Sequence, residues 1–152
     1  MDIRVQEAPF DLGVETNAFA ERQTGMGAVV TFTGITRDLP GGMDKMVIEH
    51  YPGMTENALQ TIAEQALTRW DLGDILIIHR YGDLAPNDRI MMVATASRHR
   101  VDAFEAAEFL MDYLKSRAPF WKKEFGPDGT EWVAAKDADE AALNRWKPAS
   151  NP

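Results

Sequence analysis

A chain of 152 residues with 45% apolar side chains has the size and composition of one domain that closes its own core, spanning residues 1–152 with a frayed tail at 147–152. It has no cysteine, which excludes disulfides, a thiol nucleophile and thiolate metal sites, and its three histidines leave little material for zinc, so metal catalysis is not expected. A net charge of −8 opposes bulk binding to nucleic-acid phosphates, although a local basic pocket can still hold one small anion.

The segment Met1 to Glu7 shows no basic-then-apolar signal, and no apolar run approaches the ~18 residues of a spanning helix. A cytoplasmic protein is expected. Gly27 to Gly34 is β-branched and aromatic between glycines and predicts a strand. Ile35 to Lys45, with Pro40-Gly41-Gly42, predicts a loop carrying Arg37, and Met46 to Tyr51 a second strand. Thr55 is the expected N-cap of a helix in which Leu59, Ile62, Ala63, Ala66, Leu67 and Trp70 follow three-four spacing. Asp74–Tyr81 and Ile90–Ala96 predict strands that pair as a hairpin. A second long helix is expected from about Val101 to Arg117, with apolar residues on more than one stripe. That pattern suits burial against both a sheet and a partner chain, hence a homodimer. Pro119 ends it. Phe120–Phe125 and Thr130–Ala134 flank the turn Gly126-Pro127-Asp128-Gly129, and a short helix around Asp139–Trp146 follows. The fold class is α+β, with a mixed, largely antiparallel sheet, two principal helices and hairpins.

Against the acidic background, Met111 to Lys123 holds four bases and one acid, with no acid from Lys115 onward. Such a reversal points to an anion site. Lys115 falls in the last turn of the second helix, where the dipole favours a cation; it is either a solvated helix-end lysine or an ammonium partly desolvated by its neighbours Tyr113, Leu114, Phe120 and Trp121. Lys122 and Lys123 alternate on a strand, so at most one of them belongs to a site, unless both are strand-edge charges that deter aggregation. His99 and Arg100, between a strand and a helix start, are placed to meet a phosphate, or else form an exposed connector. His50 and His79, inside apolar strands, read as hydrogen-bonded core residues outside the site. There is no phosphate-binding glycine loop, nucleophile elbow or His-Glu-x-x-His run. Spacing by itself stops at an α+β domain with a lysine-centred anion pocket.

Four segments go further: Val30-Thr31-Phe32-Thr33-Gly34, Glu49-His50-Tyr51-Pro52-Gly53-Met54-Thr55-Glu56, Ser97-Arg98-His99-Arg100, and Phe109 through Lys122. In this order the chain, from about Pro9 to Trp146, resembles the large, catalytic subunit of molybdopterin synthase. The resemblance implies an α/β hammerhead fold. It implies a sulfurtransferase that moves two sulfurs from the C-terminal thiocarboxylate of a small ubiquitin-like subunit to cyclic pyranopterin monophosphate, forming the molybdopterin dithiolene in molybdenum cofactor biosynthesis. It further implies no tightly bound cofactor, and a homodimer within a heterotetramer. By position it makes Lys115 and Lys122 catalytic, and places Ile35, Thr36, Arg37, His99, Arg100, Lys123 and Glu124 around the substrate. A family arginine reaching across the dimer falls at Lys136, where the charge is kept but the guanidinium fork is lost. The loop after Gly34 departs from the family, with Ile35-Thr36 in place of a more basic pair. A non-catalytic docking module for a ubiquitin-like tail is the competing expectation.

Overall fold

The computed structural model describes residues 1–133 and 137–147; Lys136 and nearly all of the expected tail lie outside them. In chain order the elements are β1 (Asp2–Gln6), α1 (Leu12–Glu21), β2 (Ala28–Ile35), β3 (Lys45–His50), α2 (Met54–Arg69), β4 (Leu72–Arg80), β5 (Gly82–Leu84), β6 (Arg89–Ser97), α3 (Arg100–Ser116), β7 (Phe120–Gly126), β8 (Gly129–Trp132) and α4 (Asp137–Leu143). A 3-10 turn, Asn144–Trp146, follows α4.

The strands form two four-stranded sheets rather than the single sheet expected. One has the order β1-β4-β6-β2, the other β5-β3-β7-β8, and β1 against β4 is the parallel pair in an otherwise antiparallel set. The predicted pairing of the two central strands is present, with Ile77 opposite Val93, but the connection between them contains β5, which crosses to the second sheet and pairs with β3. That short strand sits in what sequence alone presents as a turn. It is an edge strand of the second sheet, and the junction between the two sheets is where the cavity described below opens.

Strand pleating assigns the core. On β4, Ile75 and Ile77 face α2 and α3, whereas Leu76 and Ile78 face the other side with Phe19 of α1. Burial on both faces explains the unbroken run Ile75-Leu76-Ile77-Ile78, which would be unsuitable for a strand with a wet side. On α2, Leu59, Ile62, Ala63 and Ala66 are buried in the larger cluster, as their helical spacing predicts.

Two corrections concern helices. Two principal helices and a short helix around Asp139–Trp146 were expected; α4 with its 3-10 turn matches the short one, and α1 is the addition. Helix α1 buries only Phe19, so its apolar stripe is too weak to read, although its cap is orthodox: Asp11 Oδ1 accepts from Val14 N at 3.0 Å. Thr55 is not an N-cap. That position belongs to Gly53 at φ 83°, where a side chain would be strained, and Glu56 Oε2 accepts from the Gly53 N–H at 2.6 Å. Thr55 lies two residues further on, within the first turn of α2, fully buried. Its hydroxyl accepts from Tyr51 N and contacts the Pro119 carbonyl at 3.4 Å, tying the start of α2 to the turn between α3 and β7.

At the opposite end, Asp74 clamps α1 to β4. Withdrawal from water would raise its pKa, but hydrogen bonds from the Arg22 guanidinium, the Gln23 amide, the Met1 amino group and the Ile75 N–H overturn this and hold it at about 2. A carboxylate depressed on folding adds stability above its unfolded pKa, and that stability is lost as pH falls through about 2. Asp74→Asn is expected to cost about 1–2 kcal/mol at pH 7 and to flatten the loss of stability between pH 4 and 2, measured by urea unfolding across pH.

Candidate active site

Where the C-terminal end of α3 meets the junction of the sheets, a cavity of about 500 Å³ opens. Its charged lining comes from separate stretches of chain: Arg37 and Asp38 from the loop after β2, Lys115 from the last turn of α3, Lys122 and Glu124 from β7, and Asp139 from α4. Met46, Ile90, Leu114, Phe120 and Val133 supply apolar wall, and His79 stands at the end of β4. An annex of about 100 Å³ adds Phe32, Gly34, Met91 and Met111 while sharing His79, Lys115 and Lys122.

Lys115 is placed by its predecessor. Leu114 is buried in the core, which fixes the last turn of α3, and Lys115 then projects into the cavity mouth while remaining exposed. The desolvation expected of Lys115 falls on Lys122 instead. Lys122 pairs in register with Ile48 of β3 and shares its side of β7 with Phe120 and Glu124. Burial, with the Lys115 charge adding to it and Asp139 partly offsetting it, pulls its pKa down to about 8. Alternation sends Lys123 to the other side, where its Nζ lies 5.1 Å from the Trp132 ring centroid and 5.7 Å from that of Phe125. Lys123 is therefore outside the cavity.

The other expected site residues divide. Arg37, Ile35 and Glu124 line the cavity. Thr36 does not: it is fully buried, its N–H donates to the Asp88 carbonyl and its own carbonyl accepts from Asn87, so it anchors the root of the Arg37 loop. His99 and Arg100 are exposed at the opposite end of α3. Arg100 and Lys115 are fifteen residues apart on one helix, about 22 Å at 1.5 Å per residue, so a single chain does not bring them together. Lys136 lies outside the described residues.

His79 is the residue sequence reasoning set aside. It is buried and hydrogen-bonded, as expected of a core histidine, yet it borders both the cavity and its annex. Burial pushes its pKa down to about 3, against a hydrogen bond to the Arg80 carbonyl and with the Lys122, Lys115 and His50 charges adding to the fall. The signal was pleat parity: His79 shares the α3-facing side of β4 with Ile75 and Ile77, at the strand end nearest the second sheet. Asp38 and Asp139 were missed as well. Together with Glu124 they set three carboxylates against three cations, so the cavity is charge-dense rather than simply basic. Asp38 is committed to its loop, accepting from Leu39 N and Met43 N.

The sequence matches the family model described as MoaE protein over residues 5–117. It is 62% identical, over 96% of this chain and 100% of the relative, to a molybdopterin synthase catalytic subunit of Cereibacter sphaeroides. The chain belongs to the MoaE protein family. A solved MoaE protein from Burkholderia ambifaria superposes with a TM-score of 0.81 at 52% identity, covering 96% of this chain and 98% of that one. The crystal structure of a molybdopterin synthase from Staphylococcus aureus does so at 0.78 and 30%, covering 86% and 96%. The MoaE fold is thus the two-sheet α+β arrangement described above, and Lys122 lies five residues past the end of the family-model match but inside the span shared with full-length relatives.

The depressed pKa of Lys122 gives a prediction. Sulfate, whose charge is constant in this range, is expected to bind the cavity with an affinity that falls as pH rises through about 8, followed by calorimetry, and Lys122→Met is expected to remove that inflection. The charged form of a lysine with lowered pKa costs stability, fully below pH 8 and progressively less up to 10.5. Lys122→Met is therefore also expected to raise the melting temperature at pH 7, by about 2–5 °C.

Proposed function

We propose that this MoaE-family chain is the catalytic subunit of a molybdopterin synthase and moves two sulfurs from the C-terminal thiocarboxylate of a small ubiquitin-like partner to cyclic pyranopterin monophosphate. The observation that carries this reading is the convergence of Lys115, Lys122 and Arg37 on one cavity. A cyclic phosphate and a carboxyl-derived chain terminus repel each other when held close, and fixed cations offset that repulsion in a site partly closed to water. A protein without cysteine cannot carry the sulfur on its own thiol, so the sulfur arrives on the partner. No tightly bound cofactor is required by this chemistry.

In the proposed reaction the thiocarboxylate sulfur attacks the pterin side-chain carbon that carries the cyclic phosphate, forming a carbon–sulfur bond and a thioester-type link to the partner as the carbon–oxygen bond to phosphate breaks and the opened phosphate takes the electron pair. Water then cleaves the acyl–sulfur bond, releasing the partner as a carboxylate and leaving sulfur on the substrate. A second partner delivers the other sulfur to the neighbouring side-chain carbon, whose oxygen leaves as water, and its own acyl–sulfur bond is hydrolysed in the same way. Lys115, exposed at the mouth, stabilises developing negative charge or passes a proton, and Lys122, deeper and less hydrated, holds the phosphate as its ring opens. A cytoplasmic site of action goes with this reading, since the relatives are molybdopterin synthase catalytic subunits; no described helix is long and apolar enough to cross a membrane.

The distance along α3 gives the dimer a role. His99 and Arg100 reach a substrate at Lys115 and Lys122 only from a second copy of the chain. The exposed Val101 and Phe104 of α3, and Phe32 of edge strand β2, are apolar surface suited to such a pairing.

With cyclic pyranopterin monophosphate and thiocarboxylated partner, molybdopterin is expected to form, and with the plain carboxylate partner it is not; product in neither case leaves the docking-module reading. Lys115→Ala is expected to lower dithiolene formation about 100- to 1,000-fold while the partner still binds, a loss of the size seen when one charge-stabilising group is removed. Mixed dimers of Lys115→Ala and His99→Ala chains are expected to regain activity that neither homodimer has, since one of their two sites is intact. No recovery would place His99 outside the site.

A further inference from the structure

We infer that His79 is a specificity-determining residue of this cavity, whose Nε2 accepts a hydrogen bond from an N–H group of the substrate's heterocycle while the lysines hold its anionic groups. This rests on the reading of the cavity as a pyranopterin site.

The ring's protonation pattern follows from its contacts. Nδ1 lies 2.8 Å from the Arg80 carbonyl oxygen, which can only accept, so Nδ1 carries the proton and Nε2 of the neutral ring carries a lone pair. Nε2 makes no hydrogen bond among the described residues, although the whole residue is only 5% exposed. Nε2 is not among the fully enclosed side-chain atoms left without a partner, so it opens onto the cavity, where a ligand donor can reach it. The surface His79 presents is to the cavity and its annex.

The ring is also held in orientation. It stacks on Phe120 with centroids 3.7 Å apart and planes 15° apart, and the Arg80 bond fixes rotation within that plane. The lone pair therefore has one direction, as a recognition group requires. The facing charged and titratable groups are Lys115 on α3, Lys122 and Glu124 on β7, His50 on β3, Arg37 and Asp38 on the loop and Asp139 on α4.

Among these neighbours a neutral acceptor has a use that a carboxylate lacks. Asp or Glu at this position would pair with the lysines and cancel the charge meant for substrate anions, whereas imidazole accepts without cancelling it. Its protonation is opposed by burial and by both lysines, so it stays an acceptor at neutral pH and is not a general base. A reduced pterin presents ring N–H and amino donors beside its phosphate-bearing ring, which matches one fixed acceptor next to two cations.

The test compares two probes by calorimetry at pH 7. His79→Phe is expected to weaken cyclic pyranopterin monophosphate binding about tenfold and to leave sulfate binding unchanged, and His79→Gln, which keeps a neutral acceptor, to recover most of the loss. Equal loss of both probes would mean that His79 only positions Lys122, and unchanged substrate binding would mean that it reads nothing; either overturns the inference. Should the Phe variant fail to fold, nitrogen-15 NMR of the unmodified protein decides: the Nε2 resonance of His79 should shift with substrate but not with sulfate, and no shift overturns the inference. Failure of the unmodified protein to bind the pyranopterin at all would instead count against the proposed function.

Discussion

Two ammonium groups aimed into one partly buried cavity repel each other, and the surrounding structure supplies what keeps them there. Lys115 ends a helix whose inner face is locked by Phe109, Leu110 and Leu114, and Lys122 sits on a strand bonded to β3 on one side and β8 on the other. The short link between them is fastened separately. Phe120 N donates to the Ala118 carbonyl, Thr55 contacts the Pro119 carbonyl, and Arg117 forms a 2.6 Å ion pair with Glu140 of α4. None of these bonds is strong alone. Together they stop the turn from relaxing, which is the motion by which the lysines would otherwise separate.

The strongly periodic or alternating stretches were legible: α2, α3, β2, β3, the β4–β6 pair and the β7–β8 hairpin each combine an apolar period with a glycine or proline boundary. What escaped was marginal or non-local. Strand β1 is one intermediate-burial edge strand whose parallel partner lies about seventy residues away, and α1 buries a single side chain. Strand β5 has three residues and owes its existence to β3, so no local propensity announces it.

At the site, sequence marked the segment Met111–Lys123 by its charge, yet charge alone overcounts. Arg117 is paired with Glu140, Lys123 lies against Trp132, and Asp112 holds Arg145 and the Trp146 indole. Only Lys115 and Lys122 face the cavity. Pleat parity separates Lys122 from Lys123 but does not say which of them is inside; that depends on β3 pairing, a contact between stretches more than seventy residues apart. The resemblance named His99 and Arg100 alongside the lysines without saying that α3 holds the two groups at opposite ends. A motif list has no copy number, whereas a helix has a length.

The carboxylates in the cavity follow from the same electrostatics. Three cations with nothing between them would be costly to hold in a protein without ligand, and Asp139, which supports the charged form of Lys122, lessens that cost. Asp139 lies on α4, an element tied to α3 by the Arg117–Glu140 pair and continued by a turn whose Arg145 and Trp146 bond to Asp112. An anionic substrate entering the cavity does the same electrostatic work as Asp139 and competes with it for Lys122. The arrangement sets Lys122 between a permanent weak partner and a transient strong one, which keeps the free protein stable without neutralising the charge that binding uses.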